Sequence, residues 1–337
     1  MTDNQGHDHS HGTVDPGLFR SVASSDAGIT AVKWSLITLG ITAVAQLAVV
    51  FISGSVSLLS DTVHNFADAS SAIPLWIAFS LAKWKAGKKF THGCGRVEDL
   101  AGLVVIVLIF ASAVIAAYTS IERLINPRDV EFPWVLLAAG LFGFAGNEAV
   151  ALLRITVGKK INSAALVADG YHARVDGFTS LAVVAAAIGA LAGVSLLDPI
   201  IGLLISALIL RLLVSAARPV LTHLLDGVTP ETVDLVKHTA EHVPGVLDVH
   251  GVRARWSGHE LHVELEISVS ATMSVAEGHA LAAMAEHELI ESHPAIGRVI
   301  VHVDPETSPG PGYHHEVAHS HLHRARRLET GGQAALP

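Results

Sequence analysis

The chain has 337 residues, of which 50% are hydrophobic and only 16% charged. Soluble domains carry about a quarter charged residues, so the balance points to a membrane protein with a water-facing part attached. A net charge of −9 argues against a nucleic-acid partner, and the single Cys94 excludes an internal disulfide or a Cys-rich zinc cluster.

Taken in chain order, residues 1–28 read as a polar, disordered tail containing His7, His9 and His11, with no cleavable signal peptide. Residues 29–218 read as a transmembrane domain. Its six apolar segments, each long enough to span a bilayer, lie near Ile29–Ile52, Val56–Leu81, Leu100–Ile121, Pro133–Leu153, Ala164–Ala192 and Leu196–Ala216. The loop after the second span carries Lys83, Lys85, Lys88, Lys89 and Arg96. The loop after the fourth carries Lys159 and Lys160, and Arg218 follows the sixth. The positive-inside rule then places these loops, and both termini, in the cytoplasm.

Residues 219–305 change character. "PETVDLVKHTAEHV" is amphipathic with Pro230 near its start, as a helix opening requires. "VLDVHGVRARWSG" and "HELHVELEISVS" alternate as strands about a Ser257-Gly258 turn. A second helix, "SVAEGHALAAMAEHELIESH", and a strand, "GRVIVHVDP", follow. The order αββαβ predicts a C-terminal ferredoxin-like α+β domain in the cytoplasm. Residues 306–337 read as a His-rich disordered tail with His314, His315, His319, His321 and His323. The His-rich ends either gather metal ions or are simply solvated.

The pattern D-x-x-H-x-x-x-D occurs twice, as Asp61, His64 and Asp68 in the second span and as Asp169, His172 and Asp176 in the fifth. Offsets of three and seven residues put the three side chains of each copy on one helix face. A carboxylate at the centre of a membrane helix costs roughly 2.5–3.5 kcal/mol on insertion scales, which points to function rather than packing. Two such helices facing each other bring together two imidazoles and two carboxylates, the ligand count of a tetrahedral divalent-metal site. Asp61 and Asp169 are either acceptors that fix the imidazole tautomer or solvated charges near the interface. Asn147 and Glu148 are polar groups inside the fourth span. Arg174 faces away from His172 and Asp176, to snorkel or to pair with a neighbouring acid. Glu98 and Asp99 open the third span, where they either meet the basic loop Lys83–Lys89, the favoured reading, or line a cytoplasmic entrance.

With these residues in view, the chain resembles the cation diffusion facilitators, a family of divalent-metal/proton antiporters, from about residue 29 to 305. The resemblance rests on the two H-x-x-x-D motifs, "GCGRVEDLAG" entering the third span, "LDPIIGLLISALIL" in the sixth and "VIVHVDP" at the domain's end. It implies that His64, Asp68, His172 and Asp176 form the transport site. It further implies a metal site in the cytoplasmic domain built from His250, His262, His279, His302 and Asp304, and a homodimer joined partly through that domain. At the third site of some members, between spans two and three, Gly87 and Phe90 stand where ligands would be expected. Cys94 alone could coordinate there, and His92 is displaced by two positions.

The function expected is export of divalent transition metal from the cytoplasm, across the plasma or inner membrane, in exchange for protons. Tetrahedral His2Asp2 favours Zn2+ as the transported ion, and the resemblance implies a regulatory role for the ion in the cytoplasmic domain, while the general order of divalent affinities leaves Co2+, Ni2+, Fe2+ and Cd2+ open. The alternative is a membrane metal sensor or binding subunit that moves nothing. His238, Glu241 and His242 match the H-x-x-E-H of some metalloproteases. They sit on a short soluble helix without a second signature, so no enzyme is expected.

Overall fold

The computed structural model describes residues 16–53, 72–84, 86–126, 132–194 and 196–306. In chain order the elements are α1 (Pro16–Ser53), α2 (Ala72–Ala82), α3 (Arg96–Ile125), α4 (Pro133–Lys160), α5 (Ala164–Ala192) and α6 (Leu197–Leu224). They are followed by α7 (Pro230–Glu241), β1 (Asp248–Ser257), β2 (Glu260–Val269), α8 (Val275–Ser292) and β3 (Ile296–Pro305). The described residues fall into two compact units. One holds those up to Gly227 together with Trp256–Glu260; the other holds Val228–Arg255 and those from Leu261 onward.

In the first unit, Val22–Ala45 within α1 and the whole of α3, α4, α5 and α6 are long and apolar enough to cross a membrane. Ile73–Ala82 is a shorter apolar helix. The rest of the second predicted span, with Asp61, His64 and Asp68, lies outside the described residues. The buried faces carry Val32, Leu75, Phe79 and Leu166 in one cluster and Val105, Ile109, Val175, Ile209 and Val220 in another. Val107, Phe110 and Val114 on α3 and Leu204, Leu210 and Val214 on α6 are apolar yet exposed. A helix that is hydrophobic on its outer face as well as its inner one belongs in a bilayer.

The helices overrun the apolar segments that announce them. Residues 16–28, expected to be tail, are helical. Packing explains the part next to the span: a Cβ on Gly28 would stand 2.7 Å from the Phe79 ring, and Asp26 accepts a 2.6 Å hydrogen bond from Lys83. The sixth span continues through Pro219 to Leu224. Helix ends are set by caps, not by hydropathy. Ser163 Oγ accepts from the Leu166 N–H at 3.0 Å to open α5, and Gly193, at φ 70°, closes it.

Glu98 and Asp99 do not meet the basic loop. Both are buried in the first turn of α3 and are taken by the turn between β1 and β2. Glu98 Oε2 stands 2.7 Å from His259 Nδ1, and Asp99 Oδ2 accepts from the Gly258 N–H at 3.1 Å. The His223 and Trp256 rings stack nearby, 4.8 Å apart. A buried carboxylate needs a donor more than it needs a distant flexible lysine, and this turn supplies donors of fixed geometry. Arg96 and Asp226 form an ion pair in the same unit.

The second unit is a three-stranded sheet in the order β1-β2-β3, with β2 and β3 parallel. The α8 crossover between β2 and β3 is what a parallel pair requires. β1 and β2 are joined by Gly258-His259, one residue later than the expected turn. Leu261, Val263, Leu265 and Ile267 alternate into the core with Val236, Ala240, Leu281, Ala285 and Leu289 from the helices. The opposite sheet face carries the polar residues. Ser274 caps α8 in a reciprocal box with Glu277.

Candidate metal centres

His172 and Asp176 sit one turn apart on α5, both buried, with Nδ1 and Oδ1 3.8 Å apart. Helical spacing sets them side by side, and burial follows from how closely α4 lies against α5. A Cβ on Gly170 would stand 2.6 Å from Ile155 Cγ1, and one on Gly158 would stand 2.8 Å from Val167 Cγ2. Small residues at such positions let membrane helices approach at backbone distance. An imidazole nitrogen and a carboxylate oxygen brought together in a dry interior form half of a transition-metal ligand set. The partners expected on the second span, His64 and Asp68, lie outside the described residues.

Two ion pairs join α4 to α5 around this half-site. Asp169, one turn before His172, has no solvent exposure and meets Arg154 Nη1 at 3.0 Å; Arg154 is itself 1% exposed. Of the two sequence readings, a solvated interfacial charge is therefore wrong for Asp169. Arg174 takes Glu148 in a bidentate grip, Nε to Oε2 at 3.0 Å and Nη2 to Oε1 at 2.6 Å. The neighbouring acid expected for Arg174 is thus Glu148, and Glu148 is engaged by it. Arg154 carried no motif; its signal was only that a charge stood within an apolar run.

In the second unit, ligand-type atoms of His250, Glu266 and Asp304 all lie within 4.8 Å of one another. His250 Nε2 is 3.4 Å from Glu266 Oε2 and 3.4 Å from Asp304 Oδ2. Ligands about 2.0–2.1 Å from a tetrahedral zinc stand about 3.3–3.4 Å apart, which is the separation of His250 from each of the two carboxylates. His302 Nε2 lies 3.2 Å from Asp304 Oδ1 at the rim. Parallel pairing sets Glu266 opposite His302 and Ser268 opposite Asp304, on strands whose alternate residues share the polar face. Gly251, at φ 62°, keeps the space clear: a Cβ there would stand 2.5 Å from the Glu266 carboxyl carbon.

Of the five residues that the resemblance implied for this domain, the structure brings together His250 and Asp304, with His302 adjoining. His262 is on β2 four residues before Glu266, about 13 Å along the strand, and His279 is exposed on α8; neither belongs to the cluster. Glu266 is the member that sequence reasoning missed. Its signal was available as period-two alternation with the exposed strand face. Cys94 is partly buried and forms no disulfide, and among the described residues it belongs to no cluster of three or more ligand-type side chains.

Residues 32–225 match the family described as the cation efflux transmembrane domain, and residues 228–306 match the cation efflux protein cytoplasmic domain. A probable cation efflux system protein of Mycobacterium tuberculosis (strain ATCC 25618 / H37Rv) is 51% identical over 298 residues, covering 88% of this chain and 89% of the relative. The cation-efflux pump FieF of Yersinia pestis (strain Pestoides F) is 26% identical over 258 residues, covering 75% and 84%. Among solved structures, a cadmium form of a variant MamM CTD is 23% identical and covers 23% of this chain and 96% of its own, with a TM-score of 0.23.

Proposed function

This chain belongs to the cation diffusion facilitator family of membrane transporters that move divalent metal cations, and within that family we propose that it exports Zn2+ from the cytoplasm in exchange for protons. The observation that carries this reading is the pair His172 and Asp176, buried 3.8 Å apart on a membrane helix. The same residues recur at the same spacing as His64 and Asp68. Together the four would bind zinc tetrahedrally.

Coupling follows from the ligands themselves. Zinc takes neutral imidazole and ionised carboxylate, so each proton that binds a ligand opposes the metal. Imidazole titrates near physiological pH, where a modest gradient changes its state. In a conformation open to the cytoplasm the ligands are deprotonated and take zinc. In the opposite one, protons take the ligands and zinc leaves. The cluster of His250, Glu266 and Asp304 would bind zinc as a regulatory ion in the cytoplasmic domain of a homodimer. By linkage, ion bound there shifts whichever conformation binds it better.

The test is zinc flux into proteoliposomes under an imposed pH gradient, wild type against Asp176→Ala. Gradient-dependent flux that the substitution abolishes is the expected result. Flux indifferent to the gradient would remove the proton coupling. Binding without flux would make the chain a metal-binding subunit instead.

A further inference from the structure

The Arg154–Asp169 pair has no role in the transport scheme above, yet it is the most deeply buried charge pair among the described residues. Resting on the proposed transport site, we propose that Arg154 withholds Asp169 from the cargo cation, keeping the site at four ligands so that the ion can leave. Asp169 is three residues before His172, on the face that also carries Asp176. A carboxylate in that place is itself a competent zinc ligand. Among the described residues neither of its oxygens makes a hydrogen bond of good geometry, and the charge of Arg154 stands 3.0 Å from it.

Two features make the arrangement specific to arginine and to this contact. A guanidinium does not deprotonate in proteins, so its charge is permanent whatever protons do at the neighbouring ligands. The backbone also holds it in place: a Cβ on Gly170 would stand 3.1 Å from Arg154 Cβ, so even an alanine next to Asp169 would press the guanidinium stem aside. A transport site must bind its ion firmly enough to load and weakly enough to release. A fifth, anionic ligand would tighten the grip, and a fixed cation beside it prevents that.

A pair that merely staples α4 to α5 makes a different prediction. Loss of a staple lowers stability and loosens or leaves unchanged the metal affinity. Release of a withheld ligand raises the affinity and slows turnover. The experiment measures Zn2+ binding to the purified full chain, taking the component that Asp176→Ala removes, together with zinc flux in proteoliposomes. Arg154→Met is expected to bind zinc about 10-fold tighter or more and to carry it more slowly. Arg154→Gln, which keeps a polar side chain but has no charge, is expected to do the same and covers the case in which Arg154→Met fails to fold. Arg154→Met/Asp169→Asn should return the affinity to near wild type. Unchanged or weaker binding in both single variants would overturn the inference while leaving the transport site intact. Zinc binding and flux that survive Asp176→Ala would overturn the transport site, and this inference with it.

Discussion

His250 on β1 and Asp304 on β3 approach to 3.4 Å across the whole width of β2. They meet because Glu266, on the strand between them, contributes its carboxylate to the same point instead of a bulky apolar group. The two carboxylates converge on one imidazole nitrogen, and a divalent cation held among the three would balance their negative charge. Glu266→Ala is therefore expected to weaken zinc binding to the second unit by about 10–100-fold, as much as His250→Ala does. His262→Ala and His279→Ala should leave it unchanged. Titration of the four variants with zinc decides this; an effect of His262→Ala equal to that of Glu266→Ala would place the site elsewhere.

The bidentate Arg174–Glu148 pair joins α4 and α5 with both partners about a quarter exposed. Breaking a fully buried ion pair by removing one partner costs about 3–5 kcal/mol, and partial exposure makes the cost here smaller. Glu148→Gln is expected to lower the thermal midpoint of the detergent-solubilised protein. Glu148→Gln/Arg174→Gln should recover part of the loss, since no lone charge then remains. A double variant less stable than the sum of the two singles would show that the pair is not the source of the effect.

Gly93 and Gly258 both have left-handed backbone, at φ 78° and φ 63°, but only one of them is crowded. A Cβ at Gly93 would meet nothing nearer than 3.8 Å. One at Gly258 would stand 2.7 Å from Glu98 Oε2 and 2.8 Å from the Gly95 carbonyl oxygen. Gly93→Ala should cost roughly the 1–2 kcal/mol of a left-handed alanine. Gly258→Ala should cost clearly more, because it also displaces a buried carboxylate from the turn. Comparative unfolding of the two variants measures the difference, and equal losses would mean that the turn around Gly258 yields.

His293 closes α8, and its Nδ1 accepts a hydrogen bond from the Ala295 N–H at 3.2 Å. Partial burial holds its pKa below the ordinary imidazole value of about 6.5. Between the two values the unfolded chain therefore binds more protons here than the folded one. The stability this residue contributes is complete above the ordinary value and is lost as the pH falls through it toward the lowered folded value. Hydrogen exchange at the Ala295 and Ile296 amides is expected to accelerate, relative to other β3 amides, as the pH is lowered through that window. His293→Gln should remove the pH dependence; an unchanged profile in that variant would assign it to another group.

Much of this protein follows from residue order alone. Long apolar runs force helices that satisfy their own backbone, because lipid offers no hydrogen bonds. Period-two alternation from Leu261 to Ile267 fixes a strand with one buried face. Three- and four-residue spacing puts Asp169, His172 and Asp176 on one side of α5 with no knowledge of its neighbours. These are local properties, and local sequence determines them.

What only the tertiary structure decided is which faces meet, and in what register. The tight connection Ile161–Ser163 turns α4 back on α5, and glycines at positions 158 and 170 let the two approach so that Arg154 lies on Asp169. A register one turn different would have given that aspartate another partner. Parallel pairing of β2 with β3 puts Glu266 opposite His302, which makes Glu266 a member of the cluster and leaves His262 outside it. Glu98 and Asp99 find the turn at Gly258-His259, some 160 residues away in sequence, because a buried carboxylate is stable only where fixed donors reach it. Spacing along one helix or strand is periodic and can be counted; the offset between two elements is set by how their side chains pack, and no periodicity in either one encodes it.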